Sequence, residues 1–115
     1  MDLITRAQQL LDLGGILLDA RSQEEYEEGG FEGSVLLDIP LPSLTVRDLT
    51  LLAKKVNDLI QMFGKERPFI VFCKKGVRSS LVAAMLKNFG AVTVLDLEGI
   101  EKSPLKGLIE AGEIL

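Results

Sequence analysis

Four bulky apolar residues in a row, Phe69-Ile70-Val71-Phe72, lead directly into the chain's only cysteine, Cys73. Successive strand residues point to opposite faces, so an unbroken apolar run leaves no face for water. It fits a central strand of a parallel sheet covered on both sides. The residues that follow, Cys73-Lys74-Lys75-Gly76-Val77-Arg78-Ser79, gather three cations and one glycine. Ser80 to Lys87 then reads as a helix, with Val82, Ala83, Leu86 and Phe89 on one face and Gly90 closing it.

The rest of the chain repeats this alternation. Ile4, Ala7, Leu10, Leu11 and Leu13 predict a helix over 4–13, capped by Asp2 or Thr5 and stopped by Gly14-Gly15. Ile16-Leu17-Leu18-Asp19 predicts a second strand buried on both faces, with Asp19-Ala20-Arg21 at its carboxyl end. Ser22 and Glu25 form a capping-box pattern, predicting a brief helix over 23–28 that ends at Gly29-Gly30. Val35 to Ile39 reads as a third strand stopped by Pro40 and Pro42, with Ser43 a candidate cap. An amphipathic helix from about Leu51 to Phe63 follows, before Gly64. Val92 to Leu95 supplies a fourth strand running into a turn at 96–99, and Ser103-Pro104 opens a last helix over about 104–111. The pattern predicts one α/β domain over 1–115: a mostly parallel sheet of about four or five strands with helices on both faces.

With 115 residues and no run of apolar residues long enough for a membrane span, the apolar content goes to a single core. Met1 to Leu10 does not read as a secretory signal, so a cytoplasmic protein without membrane attachment is the expectation. The chain has one cysteine and no histidine. An internal disulfide, Cys/His zinc sites and Cys-His or Ser-His catalytic pairs are excluded by inventory, and no metal or cofactor is expected. A net charge of -4 argues against a general nucleic-acid surface. Lys74, Lys75 and Arg78 run against that average and suit a small anion.

In open parallel sheets ligands bind beyond the carboxyl ends of the strands, so Asp19, Cys73 and the 96–99 turn are expected to face one crevice. The thiolate is the attacking form of cysteine, and helix N-termini and cations favour it. Backbone amides of residues 74–79 can curl around an anion at the sulfur, with Gly76 supplying a backbone angle that other residues avoid. Arg78 either touches that anion or braces the loop against Asp19 or Glu25. Ser79 either caps the following helix or bonds the sulfur. Taken singly, a lone cysteine is more often a small buried apolar residue than a nucleophile, and two lysines in a turn are usually a solvated surface. The conjunction of strand, cysteine, cations, glycine and helix is what points to chemistry.

Several segments resemble the rhodanese family, in order along nearly the whole chain. Leu17-Leu18-Asp19-Ala20-Arg21 is similar to its apolar-Asp-x-Arg strand end, Glu25-Tyr26 with Gly29 to its Glu-Tyr-x-x-Gly segment, and Ile39-Pro40-Leu41 to its Ile-Pro-Leu. Cys73-x-x-Gly76-x-Arg78-Ser79 is the strongest match; Leu97-Glu98-Gly99-Ile100 and Ala111-Gly112 resemble the last turn and tail. The chain departs from the family at Gly29-Gly30, where Gly-His is frequent, and at Gly99, where a Gly-Gly pair is usual. It also lacks the tryptophan that often follows that pair, and its stretch from Gly33 to Pro40 is longer.

The resemblance implies a three-layer rhodanese-like fold and a sulfurtransferase. Cys73 would take sulfane sulfur from a small anionic donor, hold it as a persulfide among Lys74, Lys75, Gly76, Val77, Arg78 and Ser79, and pass it to a thiol or protein acceptor. Asp19 and Arg21 would support the site. Lys75 resembles the loops of members that favour thiosulfate. Rhodanese-fold phosphatases carry a longer Cys-x5-Arg loop, whereas four residues separate Cys73 from Arg78 here. A non-catalytic rhodanese-fold binding module is the other reading.

Overall fold

A helix follows each of the first three strands and returns the chain so that the next strand runs parallel, and the result among the described residues is a wholly parallel sheet. The computed structural model describes residues 2–40 and 44–100. In chain order the elements are α1 (Leu3–Asp12), β1 (Ile16–Asp19), α2 (Gln23–Glu28), β2 (Val35–Leu36), α3 (Val46–Phe63), β3 (Phe69–Cys73), α4 (Val77–Asn88) and β4 (Val94–Gly99). The sheet order is β2-β1-β3-β4, with all three pairings parallel.

The sheet separates two apolar clusters, and the strand alternation sorts residues between them. Leu18, Phe69, Val71 and Cys73 join Leu52, Val56, Leu59 and Ile60 of α3 and Val82, Ala83 and Leu86 of α4. Leu17, Ile70, Phe72 and Leu97 face the other way, onto Ala7 and Leu10 of α1 and onto Phe31. All of Phe69 to Cys73 is buried, as the apolar run requires. Each of these large side chains contributes about 2 kcal/mol of burial. The three-layer α/β architecture expected from the sequence is therefore present.

Local signals explain the helix starts. The Asp2 carboxylate caps α1 by accepting from Thr5 N. Ser22 and Glu25 form the complete capping box of α2, and Thr45 with Asp48 forms a second one that starts α3. That second box places the α3 start at Val46, several residues ahead of the apolar stripe that begins at Leu51. Ser43, the cap suggested by the sequence, and the helix expected over 104–111 lie outside the described residues.

Two strands differ from expectation. β2 stops at Leu36 because Asp38 adopts a left-handed backbone, φ 54°, stabilised by its carboxylate accepting from Gln23 N at 2.8 Å. The chain nevertheless stays beside β1, with Leu37 N bonded to Asp19 O and Ile39 N to Arg21 O. β4 runs through Asp96–Gly99 instead of ending in a turn there. A register shift against β3 between Val71 and Phe72 leaves Leu97 without a partner opposite it.

Candidate active site

Cys73 is the last residue of β3, paired across the sheet with Gly99. Its side chain is buried, and the chain turns back over it at once. Gly76 sits in the left-handed region, φ 103° and ψ -14°, and serves as the N-cap of α4 without a capping side chain. That conformation aims its N–H at the sulfur: Gly76 N donates to Cys73 Sγ at 2.9 Å. A residue with a side chain would hold this angle only under strain. α4 then begins at Val77, so its positive end lies beside the thiol.

Ser79 is fully buried inside the first turn of α4. The Cys73 thiol donates to Ser79 Oγ at 3.4 Å, and that hydroxyl donates to Gly76 O at 3.2 Å. Of the two roles open to Ser79, the structure shows contact with the sulfur; the cap position belongs to Gly76. The helix starts at Val77 and not near Ser80 because glycine supplies the entry angle that a capping serine would otherwise have to provide.

Arg78 points away from the sulfur into the protein, 4% exposed. Its Nη1 and Nη2 donate to the Glu25 carboxylate at 2.6 and 2.9 Å, and Nη1 also donates to Ile39 O at 3.0 Å. Arg78 thus braces the loop, and Glu25, not Asp19, is its partner. The ion pair holds the Glu25 carboxyl at about 2, against the partial burial that would raise it and with help from the Ser22 amide and hydroxyl. Sequence reasoning missed the Ile39 carbonyl, since a backbone acceptor carries no residue-type signal.

Asp19 is fully buried and does not open onto a crevice. Both its oxygens accept from Arg21, from Nε at 2.9 Å and Nη2 at 2.8 Å. Arg21 in turn donates to Gly29 O at 2.8 Å and lies 5.5 Å from the Phe72 ring centre. The pair therefore ties α2 and its exit to the end of the sheet, one step removed from the sulfur. Lys74, Lys75 and Val77 are exposed at the loop's outer side. Lys75, Gly76 and Val77 share an open groove with Ser80, Asp96, Glu98 and Gly99. A more enclosed hollow of about 270 Å³ between Leu37–Pro40 and α3 holds none of the loop residues.

A buried thiol at the carboxyl end of a central parallel strand, met by a loop amide and a helix N-terminus, defines a class of α/β domain that places a cysteine at a strand-to-helix turn. The rhodanese-like domain matches residues 3–100, and the chain belongs to that family. It is 27% identical over 96 residues to rhodanese-like domain-containing protein 17 of Arabidopsis thaliana, covering 84% of this chain and 62% of that protein. It is 31% identical over 84 residues to the tRNA uridine(34) hydroxylase of Protochlamydia amoebophila, covering 73% of this chain and 24% of that enzyme. The chain thus spans less than two thirds of the length of these curated relatives.

Among solved structures, the human single-domain sulfurtransferase TSTD1 superposes with a TM-score of 0.57 at 19% identity, covering 86% of this chain and 93% of that one. A rhodanese with anions from E. coli superposes with a TM-score of 0.58 at 17% identity, covering 78% and 92%. These likenesses establish the fold. No helix among the described residues is long and apolar enough to cross a membrane.

Proposed function

We propose that this domain is a sulfurtransferase that carries sulfane sulfur on Cys73, with thiosulfate or a similar small anion as donor. The observation that carries the reading is the Gly76 amide donating to Cys73 Sγ at 2.9 Å, from a left-handed glycine that opens a helix. A donor fixed in this direction stabilises negative charge on sulfur in the thiolate, and again on a bound persulfide. Lys75 at the exposed side of the loop attracts the anionic donor.

In the loading step the Cys73 thiolate attacks the outer sulfur of thiosulfate. A new S–S bond forms at Cys73, the S–S bond of thiosulfate breaks, and sulfite leaves with the electron pair. In the second step a thiophilic acceptor, cyanide in an assay or a thiol or protein thiol in the cell, attacks the outer persulfide sulfur and restores the thiolate. The domain needs no metal or cofactor for either step. The burial of Arg78 on Glu25 favours this reading over phosphate ester hydrolysis, for which a short loop without a projecting arginine is poorly suited.

Intact-mass spectrometry after thiosulfate treatment tests the proposal. Wild type should gain one sulfur, Cys73→Ala none, and cyanide should discharge the wild-type adduct as thiocyanate. Absence of both adduct and thiocyanate with the folded wild type would reject it in favour of a binding module of the same fold.

A further inference from the structure

We propose that Gly99, on a different strand from the cysteine, is a positioning residue for the Cys73 loop, and that the irregular Asp96–Glu98 segment of β4 sets it in place. A Cβ added at Gly99 would lie 2.5 Å from the Lys75 carbonyl carbon, 2.6 Å from Lys75 Cα and 2.7 Å from Lys74 O. All three are backbone atoms, so no side chain can swing aside to make room. Gly99 is not among the residues with positive φ. Its requirement is for space, not for backbone freedom, and the space is taken by the loop that covers the sulfur.

A Cβ at Gly76 would meet Gly99 N at 3.5 Å and Glu98 Cβ at 3.7 Å, ordinary contact distances, so the close approach of β4 and the loop depends on Gly99, while Gly76 is required for its backbone angle. Gly76 is also the residue whose N–H reaches Cys73 Sγ. An outward shift of Lys74–Gly76 therefore moves the amide that faces the sulfur. Gly99 is presented by an irregular piece of backbone: beyond the register shift, Glu98 adopts φ 66°, and its N–H is held by Asp96 Oδ1 at 2.8 Å. A strained residue kept by a local hydrogen bond beside a reactive group is where such a device is expected.

The consequence for sulfur loading rests on the sulfurtransferase reading; the consequence for loop geometry does not. Hydrogen exchange by NMR and single-turnover thiosulfate loading separate the two in Gly99→Ala. The Gly76 amide should exchange about tenfold faster as its bond to sulfur is lost, while the Phe69–Phe72 amides keep their protection. Loading should slow by about tenfold to a hundredfold, as for a misplaced reacting group. Unchanged exchange at Gly76, or faster exchange with unchanged loading, overturns the proposal. Should wild type load no sulfur, the sulfurtransferase reading falls and exchange alone decides the role of Gly99. If Gly99→Ala does not fold, Asp96→Ala carries the same test by loosening the Asp96–Glu98 segment without adding an atom. Both readouts should then move in the same direction by about two- to tenfold, and a folded Asp96→Ala with unchanged Gly76 exchange overturns the proposal.

Discussion

Arg78 in the first turn of α4 grips Glu25 in α2 with both terminal guanidinium nitrogens, at 2.6 and 2.9 Å, across 53 positions of sequence. The same carboxylate oxygen that meets Nη1 also closes the α2 capping box by accepting from Ser22 N and Oγ, each at 3.0 Å. One side chain therefore fixes a helix start and anchors the sulfur loop.

Glu25→Gln separates these duties. Glutamine still serves a capping box, but it presents a neutral amide to a guanidinium that is almost wholly buried. Removing one partner of such a pair leaves an uncompensated charge, and the loss here should be about 3 kcal/mol. Urea unfolding of Glu25→Gln against wild type measures it; a loss under about 1 kcal/mol would mean that the pair behaves as an exposed one.

Acid should weaken the fold through the same contact. The folded Glu25 carboxyl titrates at about 2, below its ordinary value of 4.5, so between those values the unfolded chain binds more protons. Stability from this group is fully present above about pH 4.5 and is lost as pH falls through about 2, amounting to roughly 3 kcal/mol. Asp2 and Asp48 are lowered by their caps and shift stability in the same direction. Urea midpoints measured between about pH 2 and about pH 6 should fall toward acid in wild type, and Glu25→Gln should reduce that slope without abolishing it.

Ser79→Ala tests the second contact to the sulfur. The substitution removes the oxygen 3.4 Å from Cys73 Sγ and adds no atom, so α4 should stay intact. In the thiolate the Ser79 hydroxyl can turn from Gly76 O to donate to the sulfur, so its removal should slow persulfide loading by about two- to tenfold, read in single-turnover assays with thiosulfate. A rate equal to wild type would assign Ser79 to packing alone.

Lys75→Ala should lower kcat/KM for an anionic donor by several-fold at low ionic strength, since an exposed charge near the reacting anion is worth about 1 kcal/mol in water. The difference should shrink in 1 M salt, where screening acts over about 3 Å. A salt-independent deficit would indicate that Lys75 shapes the loop and does not attract the donor.

Much of this was legible in the chain because local physics and tertiary packing agree. The double-sided burial of β3 follows from Phe69 to Phe72, the start of α2 from Ser22 and Glu25, and the unusual backbone angle at Gly76 from its being glycine, although its place as the cap of α4 does not. Where expectation and structure part, a local bond or a distant contact overrode a pattern. Thr45 and Asp48 extended α3 beyond its apolar stripe, Asp38 cut β2 short through a bond to Gln23, and β4 continued past Leu95 with its register shifted.

The sequence by itself determined the sheet-and-helix order and singled out Cys73 as the proposed nucleophile, since apolar periodicity and a residue inventory with one cysteine and no histidine are properties of the chain alone. Only the tertiary structure decided which carboxylate holds Arg78, that Ser79 meets the sulfur, and that Gly99 lies under the loop. Apart from Ser79 and Cys73, six positions apart, those contacts join residues distant in sequence, and their distances are set by how β3, β4, α2 and α4 pack. No local pattern specifies them.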